Sequence, residues 1–422
     1  MKLALQRAVD KWIGMPLCAL LSAFERVRPP RAVVGTSVEA GNGPSNGPSN
    51  GATPRRILVI LLSEMGSLVL AYPMFARLKE RYPDATLHLL MFKRNRQAIE
   101  LMNLLPLDNV ITIDDSSFSN LVADSRQAIT RLRALHLDIV IDCELFARIS
   151  SIFAYLSNAP VRVGFHPQTQ EGLYRGSFIN RPVIYNPYRH MSLQLLTLAA
   201  ATESDTKPLA KYPILPPRLS PPRLQFTSDE LNAARDQLYV DFPAVRDKPL
   251  ILLYPGGGIL PIRAWPAQNY RDLATSLLGK GYAVAAIGVK EDKAAAQDIV
   301  RYCANEACID LAGYTKKVRD LLVLFELASL LVANDGAPGQ FAALVPVPAI
   351  VLFGPETPAL YGPNTSNVHC FFVGLPCSPC LTAYNHRSSP CDGDNQCLKQ
   401  ISVADVLAQA ERMLADKIRQ PA

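Results

Sequence analysis

The sequence predicts an α/β fold of two doubly wound halves, and three observations predict it. Runs such as Arg55-Arg-Ile-Leu-Val-Ile-Leu-Leu62 and Pro249-Leu-Ile-Leu-Leu-Tyr254 are apolar throughout, the mark of parallel strands buried on both faces. Such runs alternate with helical patterns along the chain. A Pro-rich link over 208–222 separates one alternating series from a second. At 422 residues the chain is too long for one ordinary core, and 49% hydrophobic with 19% charged residues describes a globular protein. The formal net charge is +6, but residues 1–31 hold six Lys/Arg against two acids. The remainder, about +2, leaves no footprint for wrapping nucleic acid.

In chain order, residues 1–36 are apolar and basic, with Trp12, Ile13, Leu17, Leu20 and Leu21 among Lys2, Arg7, Lys11, Arg26 and Arg28. No uninterrupted run reaches the roughly 20 apolar residues of a spanning helix, and Gly14 and Pro16 break the pattern. The reading is an interfacial amphipathic helix on an anionic leaflet; the alternative is a helix packed on its own domain. Residues 37–54, with a repeated Gly-Pro-Ser-Asn, have nothing to bury and read as a flexible, disordered linker.

The first half opens with the strand ending at Leu62 and turns through Ser63-Glu-Met-Gly-Ser67 into a helix predicted to reach Tyr82. Further strands are predicted at Thr86–Met91, Asn109–Ile113, Asp138–Asp142 and Val161–Gly164. In the second half, Pro255-Gly-Gly-Gly258 follows the first strand, and a helix runs from near Trp265-Pro266 to Lys280. Strands are predicted at Ala283–Ile287, Ala307–Asp310, Leu330–Ala333 and Ala349–Phe353. Ligands of such sheets bind outside the carboxyl ends of the strands, which collects the Gly-rich turns on one rim.

The stretch Leu330 to Ala343 carries the most chemistry. Asn334 and Asp335 close a strand, Gly336 supplies freedom for a turn, and Pro338 suits a first helical turn. Backbone N–H groups at a helix start, with the helix dipole, suit an anion such as a diphosphate. Val351-Leu-Phe-Gly-Pro-Glu-Thr-Pro358 repeats the arrangement. The alternative is that both are ordinary strand-to-helix turns.

Five of these turns together resemble glycosyltransferase family nine, the bacterial heptosyltransferases, over about Arg55 to Leu407. The family's Ser-x-x-Gly-Asp turn is matched by Ser63 to Ser67, and its Pro-Gly turn and Lys-x-Trp-Pro by Pro255-Gly256 and Arg263-Ala-Trp-Pro266. Its Asp-Ser-Gly-Pro-x-His is matched by Asp335 to Gln340, and its last turns by Phe353 to Pro358 and Tyr361-Gly-Pro363. The resemblance implies two facing Rossmann-like doubly wound domains of the GT-B type, with an N-terminal amphipathic helix and a flexible tether added here. Residues 55–222 would bind the acceptor and 223–400 the nucleotide sugar, with a Cys-rich loop at 376–398 and a C-terminal helix over 401–422.

The implied chemistry is inverting and metal-independent, moving heptose from ADP-heptose to a lipopolysaccharide core or related lipid-linked saccharide. An autotransporter-type protein glycosyltransferase and a catalytically weakened sugar-nucleotide binder are the alternatives. The implied partners are a nucleotide-sugar donor, a lipid-linked saccharide acceptor and the inner-membrane surface, with no nucleic acid. The implied place is cytoplasmic, peripheral at the inner face of the inner membrane.

The matches also assign residues. The family's base is an Asp where this chain has Ser67, which accepts no proton at neutral pH without a base of its own. Glu64 on the same loop is the candidate base, oriented by Ser67 or Ser63; the alternative is that it caps the following helix. Asp142 and Glu144 are the reserve carboxylates. The acceptor side takes Ser63, Gly66 and His190, with Lys93, Arg94 and Arg96 either meeting acceptor anions or forming a solvated basic face. On the donor side, Arg263 would neutralise the diphosphate, and Pro255, Gly256, Asp335, Gly336, Ala337, Gly339 and Gln340 would shape its seat. Glu291 and Thr315 would lie near the nucleoside, or else cap their helices.

Nine cysteines are present, and Cys377, Cys380, Cys391 and Cys397 cluster in a Gly/Pro/Asn-rich loop. Their C-x2-C-x10-C-x5-C spacing suits a structural zinc or iron, with two disulfides or four free thiols as alternatives. The resemblance adds that many family members carry a cysteine cluster, and that the autotransporter heptosyltransferases hold iron with theirs. A helix from Ile401 to Ile418 was free to cross back onto the first domain.

Overall fold

A computed structural model describes residues 7–27, 53–62, 64–166, 173–204, 206, 208–211, 214 and 219–419. The chain divides into two units, residues 1–219 and 220–422. Most of the tether, 37–52, lies outside the described residues.

Unit 1 is built on β1 (Arg56–Ile60), β2 (Thr86–Phe92), β3 (Val110–Ile113), β4 (Ile139–Asp142), β5 (Val161–Phe165) and β6 (Arg181–Val183). They pair in parallel in the order β3-β2-β1-β4-β5-β6. Ile57 to Ile60 are wholly buried, as a strand covered by helices on both faces requires. Helices fill the crossovers and close a core of Leu58, Ile60, Leu90, Ile113, Leu132, Val140 and Phe153.

Unit 2 repeats the plan with β7 (Leu250–Tyr254), β8 (Ala283–Gly288), β9 (Cys308–Ala312), β10 (Leu330–Asn334), β11 (Ala349–Phe353) and β12 (Val368–Phe372). The order β12-β11-β10-β7-β8-β9 is again all parallel. In each unit the chain winds outward from its first strand, then returns to start a second run on the other side. The reversal falls between β1 and β4 in one unit and between β7 and β10 in the other, and there such sheets open a crevice at the carboxyl ends.

Two expectations about helices need correction. Residues 7–27 form one continuous helix, α1, despite Gly14 and Pro16. Its Asp10–Gly14 segment is π-wound and Met15–Val27 is α-helical; the wider turn just before Pro16 accommodates the missing N–H and the ring. Far from hanging on a tether, α1 packs on unit 1, Cys18 being buried against Tyr155, Phe178 and Ile179. The helix expected to reach Tyr82 is two, α2 (Met65–Leu70) and Tyr72–Arg81, because Pro73 forces a restart. The terminal helix Val403–Arg419 packs within unit 2, where Val406, Ala410 and Leu414 join the core formed with Leu273, Leu277 and Leu330.

Candidate active site

In unit 1 the turn after β1 lies at the β1/β4 reversal. Ser63 falls outside the described residues. Glu64 takes the N-cap position of α2 with an extended backbone and no side-chain capping bond, so the capping alternative for its carboxylate is not what the structure shows. Ser67 N donates to Glu64 O at 2.9 Å, and Gly66 is buried beneath the turn. The half-buried Glu64 and Ser67 side chains therefore stand on one tight turn.

What holds this turn was not read from the sequence. Leu62 N donates to Glu144 Oε1 at 2.6 Å, while Asn95 Nδ2 donates to Leu62 O at 3.1 Å. One residue just past the strand end, Leu62, is thus gripped at both its N–H and its carbonyl, by residues following β4 and β2. Glu144 in turn rests on Asp142, whose Oδ1 accepts from Glu144 N at 3.1 Å. Asp142 is fully buried and paired with the equally buried Arg175, which also reaches Glu144 O at 2.6 Å. Burial outweighs Arg175 and holds the Asp142 carboxyl up at about 6. Of the two reserve carboxylates, Glu144 lies against the turn and Asp142 supports it from below.

The other acceptor-side residues have local partners. His190 caps a helix, its Nδ1 accepting from Ser192 N at 3.3 Å. Lys93 pairs with Asp114, Arg94 with Asp115 and Arg96 with Glu100, so these cations form ion pairs on the surface of the unit.

In unit 2, the turns after β7 and β10 meet at the second reversal, and Asn334 joins them. Its Nδ2 donates to Pro255 O at 3.0 Å and Gly256 O at 2.9 Å. Its Oδ1 accepts from Trp265 N at 3.0 Å and the Tyr270 hydroxyl at 2.9 Å. Arg263, Asp335, Glu356 and Arg387 then form a buried network. Arg263 is 2% exposed, with Nη2 2.7 Å from Glu356 and Nε 3.6 Å from Asp335. Arg387 meets Glu356 from the other side at 2.7 Å. Burial, then the Glu356 charge, pushes the Asp335 carboxyl well above its usual range. Burial also works to raise Glu356, but Arg387 and Arg263 outweigh it and hold it low. The pair is thus driven in opposite directions, Asp335 up by burial and Glu356 down by its two arginines.

The expected role of Gly336 is corrected. Its φ of 165° is extended backbone open to any residue, and a Cβ there would meet nothing closer than 3.9 Å. The close approach is at Gly339, where a Cβ would come within 3.0 Å of Val351 Cγ2. The helix Ala337–Phe341 has only five residues, so its dipole is short and what it offers an anion is the free N–H groups of its first turn. Gln340 donates from Nε2 to Tyr361 O at 2.5 Å, and its Oε1 has no partner among the described residues.

Glu291 is exposed, and the acid turned toward the Gly256 turn is its neighbour Asp292. A Cβ on Gly256 would lie 2.5 Å from Asp292 Oδ1, and one on Gly288 2.6 Å from its Cβ. Half-buried there, Asp292 has its carboxyl raised, chiefly by burial. Thr315 lines a cavity of 420 Å³ between Ser228–Asp241 and Val318–Leu327, together with Tyr314, Leu238, Val323 and Leu327. Arg263, Gly256 and Asp335 are not among its lining residues.

For the cysteine loop, the free-thiol alternative is the one the structure carries. The cysteines carry free thiols, and among the described residues no three Cys, His, Asp or Glu side chains converge to hold a metal. Cys380 lies 3.1 Å from Ser389 Oγ, Cys391 faces Asp392 and Asn395, and Cys397 is buried against Gly354. Other contacts staple the loop: Arg387 to Glu356, Ser378 to Gly354 O, and Asn395 to Ile262 O at 2.7 Å.

A family description, "Glycosyltransferase family 9 (heptosyltransferase)", matches residues 126–388, which is more than half of the chain. The chain belongs to glycosyltransferase family 9. It is similar to lipopolysaccharide heptosyltransferase 2 of Salmonella typhimurium, 23% identical over 371 residues, covering 86% of this chain and 99% of that protein. It is also similar to lipooligosaccharide heptosyltransferase 2 of Haemophilus ducreyi, 26% identical over 73% of this chain and 86% of that one. The structure of the E. coli ADP-heptose lps heptosyltransferase II superposes with a TM-score of 0.64 at 21% identity, covering 86% and 99% of the two chains. The family resemblance and the two Rossmann-like domains read from the turns are both borne out. As a family 9 glycosyltransferase, the chain is an enzyme of group transfer, with its Gly-rich turns at the reversal points of two similar sheets.

Proposed function

We propose that this family 9 glycosyltransferase is inverting and moves a heptose from ADP-heptose to a lipopolysaccharide core or related lipid-linked saccharide, at the inner face of the inner membrane. One observation carries the reading: each unit presents a chemically equipped turn at its sheet reversal. An inverting transfer needs a base at the acceptor hydroxyl and charge stabilisation on the departing diphosphate. The turn at Glu64 and Ser67, gripped through Leu62 by Glu144, suits the first task. The turn at Asp335 to Gln340, joined through Asn334 to Pro255 and Gly256, suits the second.

Glu64 is the base in this reading, with Ser67 orienting it or the acceptor hydroxyl. Arg263 acts from beneath the donor turn, since its charge is matched by Glu356. The diphosphate is then met by the backbone N–H groups of Gly336, Ala337 and Gly339. Gln340 ties the donor turn to the Tyr361 loop, its Nε2 donating to Tyr361 O.

Transfer from ADP-heptose to a deacylated core acceptor tests this. Glu64→Gln is expected to lower kcat about 10²–10⁴-fold with donor affinity retained; an unchanged rate removes Glu64 from the mechanism. Ser67 at the family's base position favours a second reading, a sugar-nucleotide binder with weakened transfer. That reading predicts ADP-heptose binding with no glycosylated product in the same assay.

A further inference from the structure

We propose that the outward face of α1 is a docking surface for anionic lipid headgroups, seated rigidly on unit 1 so that the Glu64 turn meets acceptors arriving along the membrane. The proposal deepens the reading above, resting on it for the nature of the acceptor; the surface itself is argued from α1 alone.

The inward face of α1 is a specific fit. Asp10 Oδ1 accepts from Arg148 N at 2.8 Å and Ile149 N at 3.0 Å, capping the helix α3 (Arg148–Leu156), while Oδ2 pairs with Arg148 at 3.0 Å. Gly14 leaves no room for a side chain, since a Cβ would sit 2.9 Å from Arg148 Cβ. Ser22 Oγ accepts from the Tyr174 hydroxyl at 2.8 Å and Ser177 N at 2.9 Å. Glu25 pairs with Arg162.

The outward face has the opposite character. Trp12, Ile13, Leu20, Phe24 and Val27 are exposed, Trp12 by 73% and Val27 by 86%. Ile13, Leu20, Phe24 and Val27 recur at i, i+7, i+11 and i+14, one stripe along a helix. Lys11 and Arg26 are exposed beside it. The two acids of this segment, Asp10 and Glu25, both face inward to arginines. Charge is thus sorted across the helix, with carboxylates against the protein and cations with large apolar groups outside. A second copy of the chain would need an acidic complement to that face; an anionic leaflet supplies one together with an apolar layer. No helix among the described residues is long and apolar enough to cross a membrane, so the contact is one of lying on the surface.

The seat gives the contact a direction. Asp10 caps α3 just after Glu144, at the carboxyl end of β4, and Glu25 meets Arg162 in β5. The Trp12 end of the stripe therefore lies at the rim that carries the Glu64 turn, and the rest runs down the flank of the unit.

Co-sedimentation of the full chain with vesicles, without donor or acceptor, tests the proposal. Binding is expected to phosphatidylglycerol-containing vesicles, weakening with salt, and to be much weaker with pure phosphatidylcholine. The paired change Trp12→Ser with Phe24→Ser is expected to lower partitioning by about tenfold or more. Lys11→Glu with Arg26→Glu should abolish the preference for anionic vesicles. Trp12 emission should shift to the blue on binding, because the other tryptophan, Trp265, is already buried. These side chains are exposed, so thermal midpoints of the variants should match the parent, which separates lost docking from lost folding. No binding to either vesicle, equal binding to both, or a dimer in solution that Trp12→Ser dissociates would each overturn the proposal. Failure of glycosyl transfer with vesicle binding intact would count against the catalytic reading and leave the docking surface standing.

Discussion

Asp142 and Asp335 stand at equivalent places, at the ends of the strands that begin each unit's second run, and each is buried beside an arginine. Neither is in a position to act as a solvent-facing base, which leaves Glu64 and Glu144 as the carboxylates for the proposed transfer. Glu144→Gln keeps an acceptor oxygen for Leu62 N, so it is expected to leave folding intact and to lower kcat far less than Glu64→Gln; a larger loss at Glu144 would reverse their roles. His166, at the end of β5, is held neutral by burial and then by Arg175, its pKa lowered to about 4. A lowered histidine contributes stability that is present above its unfolded value near 6.5 and is lost as pH falls toward 4. The unfolding free energy of the parent from urea titration, relative to that of His166→Gln, should therefore drop by about 1–2 kcal/mol between pH 7.5 and 5, a difference absent above pH 7. The residue types at these sites were legible in the chain, but their partners were not. Arg263 looked like a diphosphate ligand because nothing local showed Glu356, 93 positions later, beneath the same turn.

At the scale of elements, the strands announced themselves where both faces are buried and hid at the sheet edges. β6 is Arg181-Pro-Val183, with a proline an interior strand would reject, and β12 includes His369 and Cys370 and is only half buried. The turns were legible as turns, while the device that couples two of them, Asn334, read only as a strand ending. Asn334→Ala strips partners from Trp265 N, the Tyr270 hydroxyl and two carbonyls, so it should cost about 2–4 kcal/mol by denaturant unfolding and weaken donor binding. Helix α1 was legible as amphipathic, yet periodicity does not tell a membrane face from a packing face, and α1 has a face packed on the protein. Asp10→Ala removes the cap of α3 and leaves Arg148 without that carboxylate, an expected loss of about 1–3 kcal/mol measured without lipid.

For the whole molecule, unit 2 carries its own core, which its terminal helix completes. Residues 220–422 alone are therefore expected to unfold cooperatively and to gain thermal stability from ADP as the full chain does; a shift confined to the full chain would place donor binding elsewhere. By itself, the sequence determined two parallel-sheet units, the order of their strands along the chain, the Gly/Pro turns and through them the family. These are local properties: apolar runs long enough to be buried on both faces, and backbone that only certain residues allow. The tertiary structure alone decided which strand neighbours which, that Arg263 is neutralised from within, that burial raises the Asp335 carboxyl, that the cysteines stand as free thiols, and which side of α1 faces out. Those depend on side chains brought together from positions up to 155 apart, as Ser22 and Ser177 are, and on burial, which sets charge only after the chain has folded.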